Sequence, residues 1–271
     1  MIENLRRFAE ELCGFSLTNV SDIIIISISI IAFLLIIVSI FALVIEIYLA
    51  IKYHKYNRKQ NSIDMDGKDI ARKILDDNGL ENIKVKSSGS ILFGNSYSHY
   101  FKKVRLRRLT WKKKTISSLA MASQKSCLAI LDKENDPDMK TRIKLTPLIY
   151  CGPLLFIPLI IIGAILDVLI LNSNTGTMTI IFSLIGLSFY LLSFVMNLKI
   201  LKTEKKAQEK AYEILKKNNM ATDEELNMLK SLFKLYNIEY VNNMIISLLE
   251  LIYRVLQLIA YVQNTNNTSS K

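Results

Sequence analysis

The chain has 271 residues, is 51% hydrophobic and carries 35 Lys+Arg against 24 Asp+Glu, a net charge of +11. A soluble domain of this size spreads its apolar residues at periods of 2 or 3.6; here they are gathered into long blocks, which excludes an ordinary soluble protein and makes this a polytopic membrane protein. Cys13, Cys127 and Cys151 are odd in number and lack metal-binding spacing, so they imply neither a disulfide framework nor a cysteine metal site.

The leader 1–22 carries Arg6 and Arg7. Residues 23–51 read IIIISISIIAFLLIIVSIFALVIEIYLAI, with Glu46 as the one charge. A bilayer core of about 30 Å needs about 20 apolar residues in a helix, so this block is a span. It is far longer than a signal-peptide core and is followed by a basic run, so it reads as an anchor.

Segment 52–143 is polar and basic. Within it DGKDIARKILDDNG (66–79) places Ile70, Ala71, Ile74 and Leu75 on one helical face and stops at Asn78-Gly79. NIKVKSSGS (82–90) and KKVRLRR (102–108) alternate as the strands of a hairpin do, around the turn-like NSYSHY. TISSLAMASQKSCLAILDKE (115–134) is a helix whose Ile116, Leu119, Ala120 and Ile130 pack inward. Two further apolar blocks follow, 144–171 with Asp167 as its charge beyond Lys144, and 178–198 with none; both read as spans.

Segment 199–236 forms charged helices, the second opening at Thr222 as N-cap with Glu225 three residues later. Block 238–262 is apolar except for Glu239, Asn243, Ser247, Glu250, Arg254 and Gln257, which recur every three or four residues and so share one helical face. Two readings stay open: an interfacial helix with its polar edge in water, or a fourth span whose stripe (Asn243, Glu250, Arg254, Gln257) faces other helices. Glu250 and Arg254, four apart, can neutralise each other. The tail 263–271, ending NTNNTSSK, is expected to be disordered.

Segment 52–144 holds 22 Lys+Arg, loop 172–177 none and segment 199–234 nine. By the positive-inside rule the first and last of these are cytoplasmic, and the leader and loop 172–177 lie outside. The chain is therefore a multi-pass cell-membrane protein with its soluble mass in the cytoplasm. The run 102–114 concentrates Lys102, Lys103, Arg105, Arg107, Arg108, Lys112, Lys113 and Lys114 around Trp111 without an acid. Ordinary positive-inside bias accounts for it, and so does docking on anionic headgroups. Nucleic acid is not expected, since aromatic stacking platforms are lacking.

Residues 74–80 are ILDDNGL, followed by ENIKVK; then come Ser98-His99-Tyr100, a short turn and Val104-Arg105-Leu106-Arg107. Arg142 to Pro147 approach the second span, Lys210-Ala211-Tyr212-Glu213-Ile214-Leu215 follow the third, and Tyr240-Val241 open the last apolar block. This order resembles the bacterial family of neutral membrane zinc metallopeptidases over roughly residues 30–260. The resemblance implies a helix carrying His-Glu-x-x-His, with two His ligands to Zn²⁺ and a Glu that activates the bound water. Aligned without gaps from Val104 to Pro147, those five positions are Gln124, Lys125, Ser126, Cys127 and Leu128. Both ligand positions are lost and the base position is a cation.

The third ligand that the resemblance implies, a Glu shortly after the third span, falls on Glu204. Within Lys202-Thr203-Glu204-Lys205-Lys206 it is expected to be a solvated carboxylate among lysines. His54 and His99 are expected to be exposed or hydrogen-bonded rather than ligands. Ser123, Lys125 and Ser126 point in different directions on a helix and form no nucleophilic dyad. Gly79 and Gly89 fit turns rather than a phosphate-cradling loop.

The expected architecture is mostly α, with three to four transmembrane helices and a cytoplasmic segment containing one β-hairpin packed on a helix. The expected function is that of a metallopeptidase-like protein without zinc, other cofactor, catalytic residues or peptidase activity. It would bind or scaffold at the membrane, with membrane lipids, anionic ones included, and a protein partner or a second copy of itself. A peptidase with an unrecognised site, and a small transporter or channel component using the polar stripe, are the open alternatives.

Overall fold

The computed structural model describes residues 2–88, 94–146, 151–169 and 177–268. Loop 172–177, read as external, falls outside the described residues but for Thr177. The chain divides into two compact units, one of residues 1–42, 146–197 and 242–271, the other of 43–145 and 198–241.

The first unit is helical. It contains α1 (Ile2–Cys13), the opening part of α2 (Asp22–Tyr56), α7 (Cys151–Leu169), the opening part of α8 (Thr177–Lys217) and the closing part of α9 (Asp223–Thr268). Among the described residues, α2, α8 and α9 are long and apolar enough to cross a membrane, and the apolar stretch Leu154–Leu169 of α7 is shorter. The distribution of polarity is that of a lipid-facing bundle: Ile23, Phe33, Ile40, Leu154 and Val168 are exposed, while Ser29, Asp167, Ser183, Ser193 and Asn242 are buried.

The lone acid of the second apolar block has a defined structural role. Asp167 accepts hydrogen bonds from the backbone N–H groups of Met178 and Thr179 and from the Thr179 hydroxyl, each at 2.8 Å. These are among the first N–H groups of α8, which have no partner within the helix, so the carboxylate caps it. Gly163 allows α7 and α8 to approach closely at this level, for a Cβ there would lie 2.7 Å from Thr179 Cα. The leader is also ordered. Its α1 packs Ala9 with Ile25, Ile28 and Ala260, and Arg6 pairs with Asp22 at 2.9 Å. The chain end departs from expectation: α9 continues to Thr268, into the segment read as a disordered tail.

The second unit is built around one buried helix, α5 (Ile116–Lys133), with Ile116 through Leu131 all buried. Thr115 caps it by accepting from the Ser118 N–H. Against α5 pack α3 (Gly67–Asp76), the short α4 (Arg108–Lys112), α6 (Pro137–Leu145), and the charged parts of α8 and α9. The core therefore draws Ala207, Ala211, Leu215, Leu226, Leu229 and Leu232 from the later segment together with Ile70, Ile74, Leu106, Leu119 and Leu128 from the earlier one. The turn Asn78-Gly79 ends α3 as its sequence requires: Gly79 adopts φ +64°, and the Leu80 N–H reaches back to the Leu75 carbonyl at 2.9 Å. The capping box at the start of α9 is present too, with Thr222 N–H donating to Glu225 Oε2 at 2.8 Å and Glu225 N–H to Thr222 Oγ1 at 3.3 Å.

The sheet corrects the hairpin read from the sequence. β1 (Lys84–Ser88) pairs with β3 (Lys103–Arg107) in parallel, and the antiparallel partner of β3 is β2 (Ser96–Ser98), which lies inside the segment read as a turn. The strand order is β1-β3-β2. A parallel pair needs a long connection between its strands, and the residues between Ser88 and Lys103 provide it. Val104 and Leu106 point into the core, so Lys103, Arg105 and Arg107 occupy the outer face.

Candidate functional site

The positions singled out by the family alignment lie on α5, α6 and α8 of the second unit. In α8, Thr203, Glu204, Ala207, Gln208, Ala211 and Leu215 are buried at helical spacing. Glu204 belongs to that inward face and is 1% exposed. This overturns the expectation of a solvated carboxylate among lysines. The neighbouring lysines lie on other faces: Lys205 is exposed, Lys202 pairs with Asp138 at 3.0 Å, Lys206 with Asp136 at 2.8 Å, and Lys210 with Glu134 at 2.5 Å.

Three donors converge on Glu204. Gln124 Nε2 donates to Oε2 at 2.7 Å, Lys125 Nζ to the same oxygen at 2.8 Å, and Arg142 of α6 donates to Oε1 at 2.7 Å. Burial alone would raise the Glu204 carboxyl. Arg142 first and Lys125 next outweigh it and hold the group at about 2. The Lys125 ammonium is lowered by burial, while Glu204 favours the charged form and Arg142 opposes it. One carboxylate thus faces two cations in a site shielded from water. The arrangement ties three helices together, and the carboxylate, charge-paired on both oxygens, is a poor base.

Leu128, one turn beyond Gln124, is fully buried in the apolar core. Cys127 is buried as well, and its thiol is pushed up to about 12 by burial first. A catalytic zinc takes three protein ligands in deprotonated form and an open position for water. Around Glu204 the matching positions offer an amide, an ammonium and an apolar side chain. Among the described residues no three His, Cys, Asp or Glu side chains gather to hold a metal. The residues present do not fit zinc.

His99 is held by an acid: its Nδ1 lies 2.6 Å from Asp132 Oδ2, which also accepts from the Tyr97 hydroxyl at 2.5 Å. Burial first, and then Asp132, raise the Tyr97 hydroxyl above its ordinary range. The basic run is dispersed by the fold. Lys103, Arg105 and Arg107 lie on β3, Lys102 in the preceding turn, Arg108 and Lys112 on α4 and Lys113 just after it, and Lys114 is paired with Asp64 at 2.7 Å.

In the first unit the polar stripe of α9 meets other helices. The Tyr190 hydroxyl donates to Glu250, Arg254 lies over the Phe156 ring at 5.6 Å, and Arg254 donates to Gln257 at 3.1 Å. Glu250 is thus engaged by Tyr190 rather than paired with Arg254. Asn243 is exposed, and the buried amide is Asn242, about 100° round the helix. Glu250→Leu should lower stability by about 1–3 kcal/mol, the cost of leaving the buried Tyr190 hydroxyl without its acceptor. Thermal unfolding in detergent measures this; an unchanged midpoint would mean that water, not Tyr190, satisfies Glu250.

Sequence reasoning missed Arg142 and Tyr190 as partners. Arg142 stood only as a family landmark, and nothing in the spacing of Tyr190 announces a carboxylate 60 residues away.

A family model described as "Putative neutral zinc metallopeptidase" matches residues 31–259. The chain is 25% identical over 206 residues to a Bacillus subtilis (strain 168) protein described as "Putative membrane protease YugP", an overlap of 74% of this chain and 84% of that one. No solved structure matches.

Proposed function

The chain belongs to the neutral zinc metallopeptidase family, and we propose that it is a member that has given up zinc and peptide hydrolysis and acts as a binding or scaffold protein at the cytoplasmic face of the cell membrane. The observation that carries this reading is the occupation of Glu204, the one acid left of the implied ligand set, by Lys125 at 2.8 Å and Arg142 at 2.7 Å. An ammonium stands where the general base would act, and it already neutralises the carboxylate that a metal would need. Zinc analysis of the purified full chain, with a chelator-sensitive peptidase assay, tests the proposal. Stoichiometric zinc would overturn it.

The proposed orientation rests on the Lys/Arg counts of 22, 0 and 9 in segments 52–144, 172–177 and 199–234. In intact cells an impermeant thiol reagent should label Asn174→Cys and fail to label Lys59→Cys or Lys217→Cys, each made in a background without the native cysteines. Labelling of Lys59→Cys from outside would invert the topology.

A further inference from the structure

The outer face of the small sheet is loaded with like charges in register. In the parallel pair, Lys84 stands opposite Lys103 and Lys86 opposite Arg105. Side chains at paired positions lie on the same face, and like charges directly opposite one another destabilise a sheet. The other face carries Val104 and Leu106 into the core, with Val85 and Tyr97 packed against it, so the cations are turned outward. Ser96 and Ser98 of β2 stand opposite Arg105 and Lys103 and complete the face. Desolvation first, and then the positive charges of Arg105 and Lys86, lower the Lys103 amine.

The turn between β2 and β3 adds a second feature. Tyr100 and Phe101 are each 67% exposed, adjacent, and followed by Lys102 in the left-handed region at φ 45°. Lys103 Nζ lies over the Phe101 ring at 4.2 Å. His99, tied to Asp132, fixes the base of the turn. Tyrosine is enriched at the membrane–water interface, an exposed Phe sinks into the headgroup boundary, and lysines beside them are drawn to anionic headgroups.

We propose that this sheet face, with Lys84, Lys86, Lys103 and Arg105 as its charged grid and Tyr100 and Phe101 as its wedge, docks on the anionic phospholipid headgroups of the bilayer that the chain's own helices enter. The proposal rests on the membrane-surface reading above and gives it a surface. It moves that surface from the linear run 102–114 to one that includes β1 and leaves out Lys114. A repulsive register becomes favourable once a plane of phosphates lies against it, and tethering by the membrane helices keeps the local lipid concentration high.

The test uses full-length protein in nanodiscs, with Phe101→Trp in a Trp111→Phe background and acyl chains brominated near the headgroup. Fluorescence should be quenched in discs containing phosphatidylglycerol, be spared in pure phosphatidylcholine, and recover as salt screens the attraction. Lys84→Gln and Lys86→Gln should each lower the ratio of docked to undocked protein about fivefold, the worth of one cation near an anionic surface. Quenching that is absent in both lipids, equal in both, or indifferent to these substitutions would overturn the proposal; the first of these would point to an acidic protein as the occupant instead. In detergent, where no bilayer is present, Lys86→Thr should raise the unfolding midpoint by relieving the Arg105 repulsion, and a lowered midpoint would remove the like-charge argument. Zinc content separates the two readings: stoichiometric zinc would overturn the loss of catalysis and leave the quenching result standing, while absent quenching in a zinc-free protein would overturn the docking face alone.

Discussion

Glu204→Gln should destabilise the protein by about 3–5 kcal/mol, the cost of removing one member of a buried charge cluster. The substitution keeps the shape of the side chain and an acceptor for Gln124, so almost all of the effect is electrostatic. Lys125 and Arg142 would be left facing each other in a buried site without a counter-charge. The pH dependence gives the sign. The folded-state carboxyl is held at about 2, below its ordinary value, by Arg142 and Lys125 acting against burial. Its contribution is therefore fully present above the ordinary carboxylate value of about 4.3 and is lost as pH falls from there toward 2. Denaturant unfolding of both proteins across that window should show the gap between wild type and Glu204→Gln closing on acidification. A gap that stays constant would mean the carboxylate is not ionised in the fold.

The second large effect is a gain. Gln124→His, Lys125→Glu and Leu128→His together should give the protein measurable zinc affinity, where the unaltered chain should hold well under one zinc per molecule. Gln124 already places a nitrogen 2.7 Å from Glu204 Oε2, and Leu128 lies one turn further along α5. Two imidazoles there and the Glu204 carboxylate supply the three protein ligands of a catalytic site. Lys125→Glu removes the cation from Oε2, while Arg142 stays on Oε1 and leaves one oxygen for metal. Glu204→Ala in the triple variant should weaken binding by at least about tenfold, since even a residue that only supports a ligand is worth that much. Calorimetric titration of zinc into the metal-free variants decides. No binding by the triple variant would mean that the family alignment is out of register on α5.

The long apolar blocks of α2 and α8, the mostly helical class, the stop of α3 and the cap that opens α9 were legible in the sequence because each depends on local pattern, whereas the block read as the second span is a shorter apolar helix among the described residues. Long uncharged blocks have one solution in a bilayer, and Thr222 with Glu225, or Asn78-Gly79, act on the nearest turn of backbone. Glu204 was misjudged for a physical reason. Its neighbours in the chain are lysines, but its neighbours on the helix are Ala207, Gln208, Ala211 and Leu215, and a helical face is set by spacing rather than adjacency. Read at period 3.6, the same residues already place it inward. The sheet was misread because alternation marks strands without stating their partners, and strand direction is fixed by the path of the connection. Arg142 and Tyr190 were illegible as partners because they act across 62 and 60 residues of chain.

The second unit is assembled from residues 43–145 and 198–241, with two apolar helical segments made in between. During synthesis, Lys125 of α5 is made 79 residues before the Glu204 that neutralises it. The unit cannot close until a further 96 residues beyond Leu145 have been made, about 5–20 s at roughly 5–20 residues per second. For that interval a half-built core stands open with an uncompensated cation inside it. Until then the apolar residues that α5 buries in the finished unit have only part of their cover.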